Sequence, residues 1–71
     1  MSITTAKVRT KVDPRVFKRI PWSDETGWWS FQIGHEVKSY GGEYGLASDL
    51  AVRHARRNEV DTITVLSRNY G

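Results

Sequence analysis

A single stretch of this 71-residue chain, Leu46 to Glu59, repeats its apolar residues with a helical period; the clearest apolar runs elsewhere alternate in twos. The chain therefore has one substantial helix, of roughly four turns, and a few short strands to build with. Leu46, Ala47, Leu50, Ala51, His54 and Ala55 fall on one stripe of that helix, with Asp49, Arg53, Arg56 and Arg57 outside it. The alanines let a helix axis sit close against a sheet. Asp49 and Arg53 have the spacing of an i,i+4 ion pair, and Asn58 suits the helix end.

The strands are read from alternation. Between Thr4 and Val12, Ala6, Val8, Thr10 and Val12 point one way, and Thr5, Lys7, Arg9 and Lys11 the other. Asp13-Pro14 breaks this strand. Pro14 to Ile20 fits either a short helix capped by Asp13 or a second extended segment, and Pro21 stops both. Trp22 to Gly27 reads as a loop in which Asp24 and Glu25 face water. Trp28 to Ile33 is the clearest strand, with Trp29, Phe31 and Ile33 on one face and Trp28, Ser30 and Gln32 on the other. Gly34-His35 suits a two-residue turn. A three-residue loop, Gly34 to Glu36, instead pairs Ile33 with Val37 and keeps apolar residues together, so the longer loop is expected. Tyr40 to Gly45 reads as a flexible connection, Asp61 to Leu66 as the last strand, and Ser67 to Gly71 as a frayed tail.

These elements predict one α+β domain over residues 1–71. It is a two-layer sandwich in which one antiparallel sheet of three to four strands is covered on one face by the main helix. A short extra helix at 14–20 would make the order β-α-β-β-α-β, a ferredoxin-like arrangement. Gly27-Trp28 at the opening of the hairpin, Ala47, Ala51 and Ala55 in the helix, and the closing Thr62-Ile63-Thr64-Val65 make residues 27–71 resemble a small bacterial and phage family of unknown function. The resemblance implies a strand-strand-helix-strand layout and no particular activity. It leaves the basic N-terminal strand outside.

The absence of cysteine excludes disulfide scaffolds, Cys-based zinc sites and thiol catalysis. No apolar run approaches the ~20 residues of a membrane span, and the N-terminus lacks the apolar stretch of a secretory signal. The expectation is a soluble cytoplasmic protein of a bacterium or a bacteriophage. Gly34-His35-Glu36 begins like a zinc-binding HExxH, but Ser39 stands where the second histidine belongs. Gly41, Gly42 and Gly45 precede a helix without phosphate-loop spacing or its lysine, and no GxSxG surrounds Ser30 or Ser48. No enzyme, cofactor or metal is expected.

What remains is a surface. Eleven Lys and Arg against eight Asp and Glu give a formal net charge of +3, which favours anionic partners. If the helix covers the face of Trp29, Phe31 and Ile33, the opposite face presents Lys7, Arg9, Lys11, Trp28, Ser30, Gln32, Thr62 and Thr64. Cations beside an exposed aromatic ring are what single-stranded nucleic-acid binders use. The candidate nucleic-acid-binding residues are therefore Lys7, Arg9, Lys11 and Trp28, with Arg53, Arg56 and Arg57 as a second basic locus on the helix. The alternative is a protein-binding regulator or inhibitor that uses the same face. A third is a homodimer in which two such faces pack together and bury Trp28.

Overall fold

A computed structural model of the protein describes residues 8–69. Five elements follow in order: β1 (Arg9–Val12), β2 (Thr26–Ile33), β3 (Glu36–Glu43), α1 (Tyr44–Arg57) and β4 (Thr62–Asn69). The four strands form one sheet in the order β1-β4-β2-β3, and α1 lies across one face of it, over β2 and β3. The fold is an α+β two-layer sandwich. Because β3 already occupies one side of β2, the strand returning from α1 takes the other side. β4 thus pairs antiparallel with β2, and β1 joins β4 in parallel. The sheet is antiparallel across its three long strands and parallel at its short edge.

The alternation of the sequence sets the core. Trp29, Phe31 and Ile33 of β2 and Ile63 and Val65 of β4 point at the helix and are fully buried with Ala47, Ala51 and Ala55. Tyr44 joins them, its ring centroid 5.0 Å from that of Trp29. Leu46 and Leu50, expected on the inner stripe, stand 61% and 45% exposed. The buried stripe is centred on the alanines because α1 sits close to β2, and the two leucines fall on its outer flank. Asp49 and Arg53 are not among the ion pairs formed by the described residues.

Residues 14–20 form no helix. The amides of Val16 and Phe17 both donate to the Asp13 carbonyl, at 2.9 Å each, and the Asp13 carboxylate takes the Arg15 amide at 2.9 Å. One such turn is all that forms, since Pro21 denies helical geometry to Ile20 and the nucleus of a helix is costly. The turn lets Phe17 reach Trp29, with ring centroids 6.4 Å apart.

The hairpin uses the two-residue turn, so Ile33 pairs with Glu36 and Gln32 with Val37. Gly34 has φ +62°, the left-handed geometry that this turn needs at its first central position. The expected three-residue loop would have sorted apolar from polar. That sorting is unnecessary at an edge strand, where Glu36 escapes burial by reaching His54 of α1, Oε1 to Nε2 2.7 Å. β3 runs on through Tyr40 to Glu43, and α1 begins at once. Glu43 makes no side-chain cap; the amides of Tyr44 and Gly45 donate instead to the carbonyls of Glu25 and Ser23, at 2.7 and 2.9 Å. At its other end α1 closes on Asn58 with Glu59 at φ +58°, and Val60 N–H donates to Ala55 at 2.8 Å. The segment from Ser67, expected to fray, is strand as far as Asn69. A bulge at Leu66 shifts the register there, so Ser67, Arg68 and Asn69 lie opposite Ser30, Trp29 and Trp28.

Candidate nucleic-acid interface on the open sheet face

Cross-strand register decides which side chains share the uncovered face, because directly paired residues point the same way. Lys11 is level with Thr64, which is level with Gln32, which is level with Val37. Ser67, Ser30 and Ser39 make the next row of that face, and Asn69, Trp28 and Gly41 the last. Arg9 lies beside Thr62 at the far end. Between the cations and the tryptophan the face is polar, with Ser30 Oγ 3.0 Å from Ser39 Oγ, and Gln32 Nε2 donating to the Gly34 carbonyl at 2.7 Å.

Arg9, Lys11 and Trp28 therefore share one face, as expected, but they are not neighbours. Two strand spacings and four residues separate Lys11 from Trp28, about 16 Å, and Arg9 is farther still. Neither cation makes an ion pair with a described carboxylate. Trp28 is 51% exposed, and its ring lies over Gly41, where a β-carbon would come within 2.7 Å of Cε3. Glu43, opposite Thr26, brings one negative charge to that end. Arg53, Arg56 and Arg57 are exposed on α1, which belongs to the other layer, so they do not join this face. Lys7 lies outside the described residues.

A second constellation was invisible in the sequence. Glu25 is half-buried, not facing water as expected. It accepts from the Trp22 amide at 2.6 Å, from Arg19 Nη1 at 3.0 Å and from Arg68 Nη1 at 3.0 Å. Arg68 also donates Nε to the Thr26 carbonyl at 2.8 Å and lies 5.0 Å from the centroid of the Trp29 ring. Arg19 stacks on Trp22 at 4.7 Å. This network ties the segment from Asp13 to Glu25 onto β4. Nothing in the local sequence points to it, since Arg68 stands where apolar alternation has stopped.

The Trp22 amide, then Arg19, hold the Glu25 carboxyl below its ordinary pKa; Arg15 does so for Asp13, and His54 for Glu36. Each is lower in the folded state than in the unfolded chain. Each therefore contributes stability that is complete above the ordinary carboxylate range and disappears as pH falls through the folded value. The domain is expected to weaken below about pH 4. Glu25→Gln should lower the urea midpoint at pH 7 and flatten its fall towards pH 3. An unchanged midpoint at both pH values would show that the network contributes nothing.

Among the described residues no three of His, Asp and Glu gather as a metal site, and no helix is long and apolar enough to cross a membrane. A cleft of about 180 Å³ lined by Val16, Phe17, Lys18, Arg19, Pro21 and Glu25 is smaller than ordinary ligand pockets, which begin near 300 Å³. Comparison with protein-family models, with curated proteins and with solved structures returns no match.

Proposed function

We propose that this protein is a non-enzymatic binding module that takes a single nucleic-acid strand on its uncovered sheet face. The observation that carries the reading is the joint exposure of Arg9, Lys11 and Trp28 on the one face that α1 leaves open. Arg9 and Lys11 neutralise phosphates, Trp28 stacks a base, and the serine and threonine rows between them offer hydrogen bonds to sugar and phosphate oxygens. The ~16 Å between Lys11 and Trp28 spans a few nucleotides laid diagonally across the sheet. Binding of this kind is largely indifferent to sequence, since phosphates and ring faces are common to every nucleotide.

A tryptophan-fluorescence titration with single-stranded and duplex oligonucleotides tests it. Trp28 should quench on binding the single strand, while the buried Trp29 should not respond. Trp28→Ala should cost about 1–3 kcal/mol, a loss of roughly 5- to 160-fold. Arg9→Ala and Lys11→Ala should each reduce the slope of log K against log salt by about 0.7. Absence of any quenching at low salt would sink the reading.

One observation favours a protein partner instead, at a different surface from the open face. Val16, Ile20 and Trp22 project from the loop before β2 and are 54%, 52% and 64% exposed. Trp22 is held in place by the hydrogen bond that its backbone N–H donates to the Glu25 carboxylate and by Arg19 over its ring. A fixed, exposed Trp beside Arg is the composition of an interface hot spot. On that reading Trp22→Ala abolishes capture of a host protein, and salt has little effect.

A further inference from the structure

The two edges of the sheet are unlike. β1 is four residues long and carries Arg9 and Lys11. β3 is eight residues long, has one lysine and no proline, and no described strand lies beyond it. Ile33 and Glu36 flank the two-residue turn and exchange hydrogen bonds; by alternation the backbone groups of Lys38, Tyr40 and Gly42 also face β2. Those of Val37, Ser39 and Gly41 face outward. A long exposed edge of this kind is a template for another strand.

Exposed apolar side chains border the same edge. Of the seven large ones among the described residues, Val16, Ile20 and Trp22 belong to the loop. The other four, Trp28, Val37, Leu46 and Leu50, all lie around β3. Leu50 is one helical turn before His54, which bonds Glu36 of β3, so the flank of α1 bearing Leu46 and Leu50 overhangs this edge.

We propose that the occupant of this edge is a second copy of the chain, paired β3 to β3, antiparallel, about a twofold axis at Ser39. Ser39 then exchanges hydrogen bonds with Ser39 of the second copy, and Val37 with Gly41 of the second copy. An axis one residue earlier would set the two Lys38 side chains against each other, whereas this one sets Lys38 opposite Tyr40. The helices fit the same operation. α1 lies over β2 and β3, so a ~4.8 Å strand spacing brings the two helix axes to about 10 Å, where helices pack. Four helical residues rise about 6 Å, close to two strand residues. With His54 level with Glu36, Leu50 comes level with Lys38 and Leu46 with Tyr40. The axis at Ser39 therefore sets Leu46 against Leu50 of the second copy. Val37 packs beside Gly41 and Trp28 of the second copy. Arg9 and Lys11 remain free at the two outer edges of an eight-stranded sheet, so the dimer does not depend on the nucleic-acid reading.

Sedimentation equilibrium of the full chain from about 1 µM to 1 mM should show a species of twice the 8.1 kDa chain mass. The double variant L46E/L50E, altered only at exposed positions, should keep its circular dichroism and dimerise at least tenfold more weakly. The chain has no cysteine, so Ser39→Cys provides an independent readout. Paired Cα atoms about 5.5 Å apart lie within disulfide reach, and oxidation should link the dimer covalently. Val37→Cys, whose two copies would stand about 14 Å apart, should not link. A monomer at every concentration would overturn the proposal. So would a dimer that survives L46E/L50E and links no better through Ser39→Cys than through Val37→Cys, which would place the contact elsewhere. Nucleic-acid binding by a strict monomer would sink the dimer alone; a dimer of this register that binds no oligonucleotide would sink the other reading alone.

Discussion

Trp29→Ala is expected to unfold the domain. Trp29 is completely buried at the centre of the helix-facing side of β2, and three separate segments meet on its ring. Phe17 stacks on it from the loop, Tyr44 meets it edge-on from the first turn of α1, and Arg68 lies over it from β4. Its indole N–H donates to the Gly42 carbonyl at 3.0 Å, which fixes the glycine-rich end of β3. Truncating a buried Trp or Phe to Ala costs about 3–5 kcal/mol. A domain of this size has a total stability of about 4–10 kcal/mol. Loss of far-UV circular dichroism at 25 °C, or a urea midpoint near zero, is the expected result. Emission alone cannot decide it, because removing the one buried tryptophan shifts the remaining signal to the exposed Trp22 and Trp28 even in a folded chain. A variant that kept most of its urea resistance would mean that Phe17, Phe31 and Tyr44 close over the space, and that the loop does not depend on this ring.

The residues around Trp29 also separate what the sequence reveals from what it hides. The period of two in Trp29, Phe31 and Ile33 and again in Ile63 and Val65 identifies the buried face, because one face of each strand must be apolar. The same period correctly places Arg9, Lys11 and Trp28 on the opposite face. It says nothing of their separation, which follows from how β4 inserts between β1 and β2. Local patterning also fails wherever an edge or a bulge relaxes it. Glu36 can sit opposite Ile33 because β3 has solvent beside it. Arg68 can face the helix because the bulge at Leu66 changes which residues point inward, and its partner Glu25 lies forty-three positions earlier in the chain. The start of α1 is concealed for a related reason. Its first amides bond to carbonyls of the loop at Ser23 and Glu25, so no Ser, Thr or Asp cap announces it.

Ala51→Leu should be nearly as damaging, though it adds apolar atoms. Ala47, Ala51 and Ala55 have no exposed surface, and their small size sets the distance between α1 and the β2 side chains Trp29, Phe31 and Ile33. Extra methylenes in a filled core force displaced rotamers or a shifted helix, at a typical cost of about 1–3 kcal/mol. Here any shift of α1 also strains the bonds from Tyr44 and Gly45 to the loop and from His54 to Glu36, so the upper part of that range is expected. Leu50→Ala is the matched control. Leucine in a core would lose 2–5 kcal/mol on this change, but Leu50 is 45% exposed, and alanine is the better helix former. In solution dilute enough for the chain to be monomeric, Leu50→Ala should move the urea midpoint by less than Ala51→Leu does. The opposite ordering would mean that α1 is rotated so that the leucines face the sheet, as the simple apolar stripe suggests. The flank assigned to a second copy would then be part of the core. One pair of denaturation curves therefore tests the helix orientation on which both the packing and the edge pairing depend.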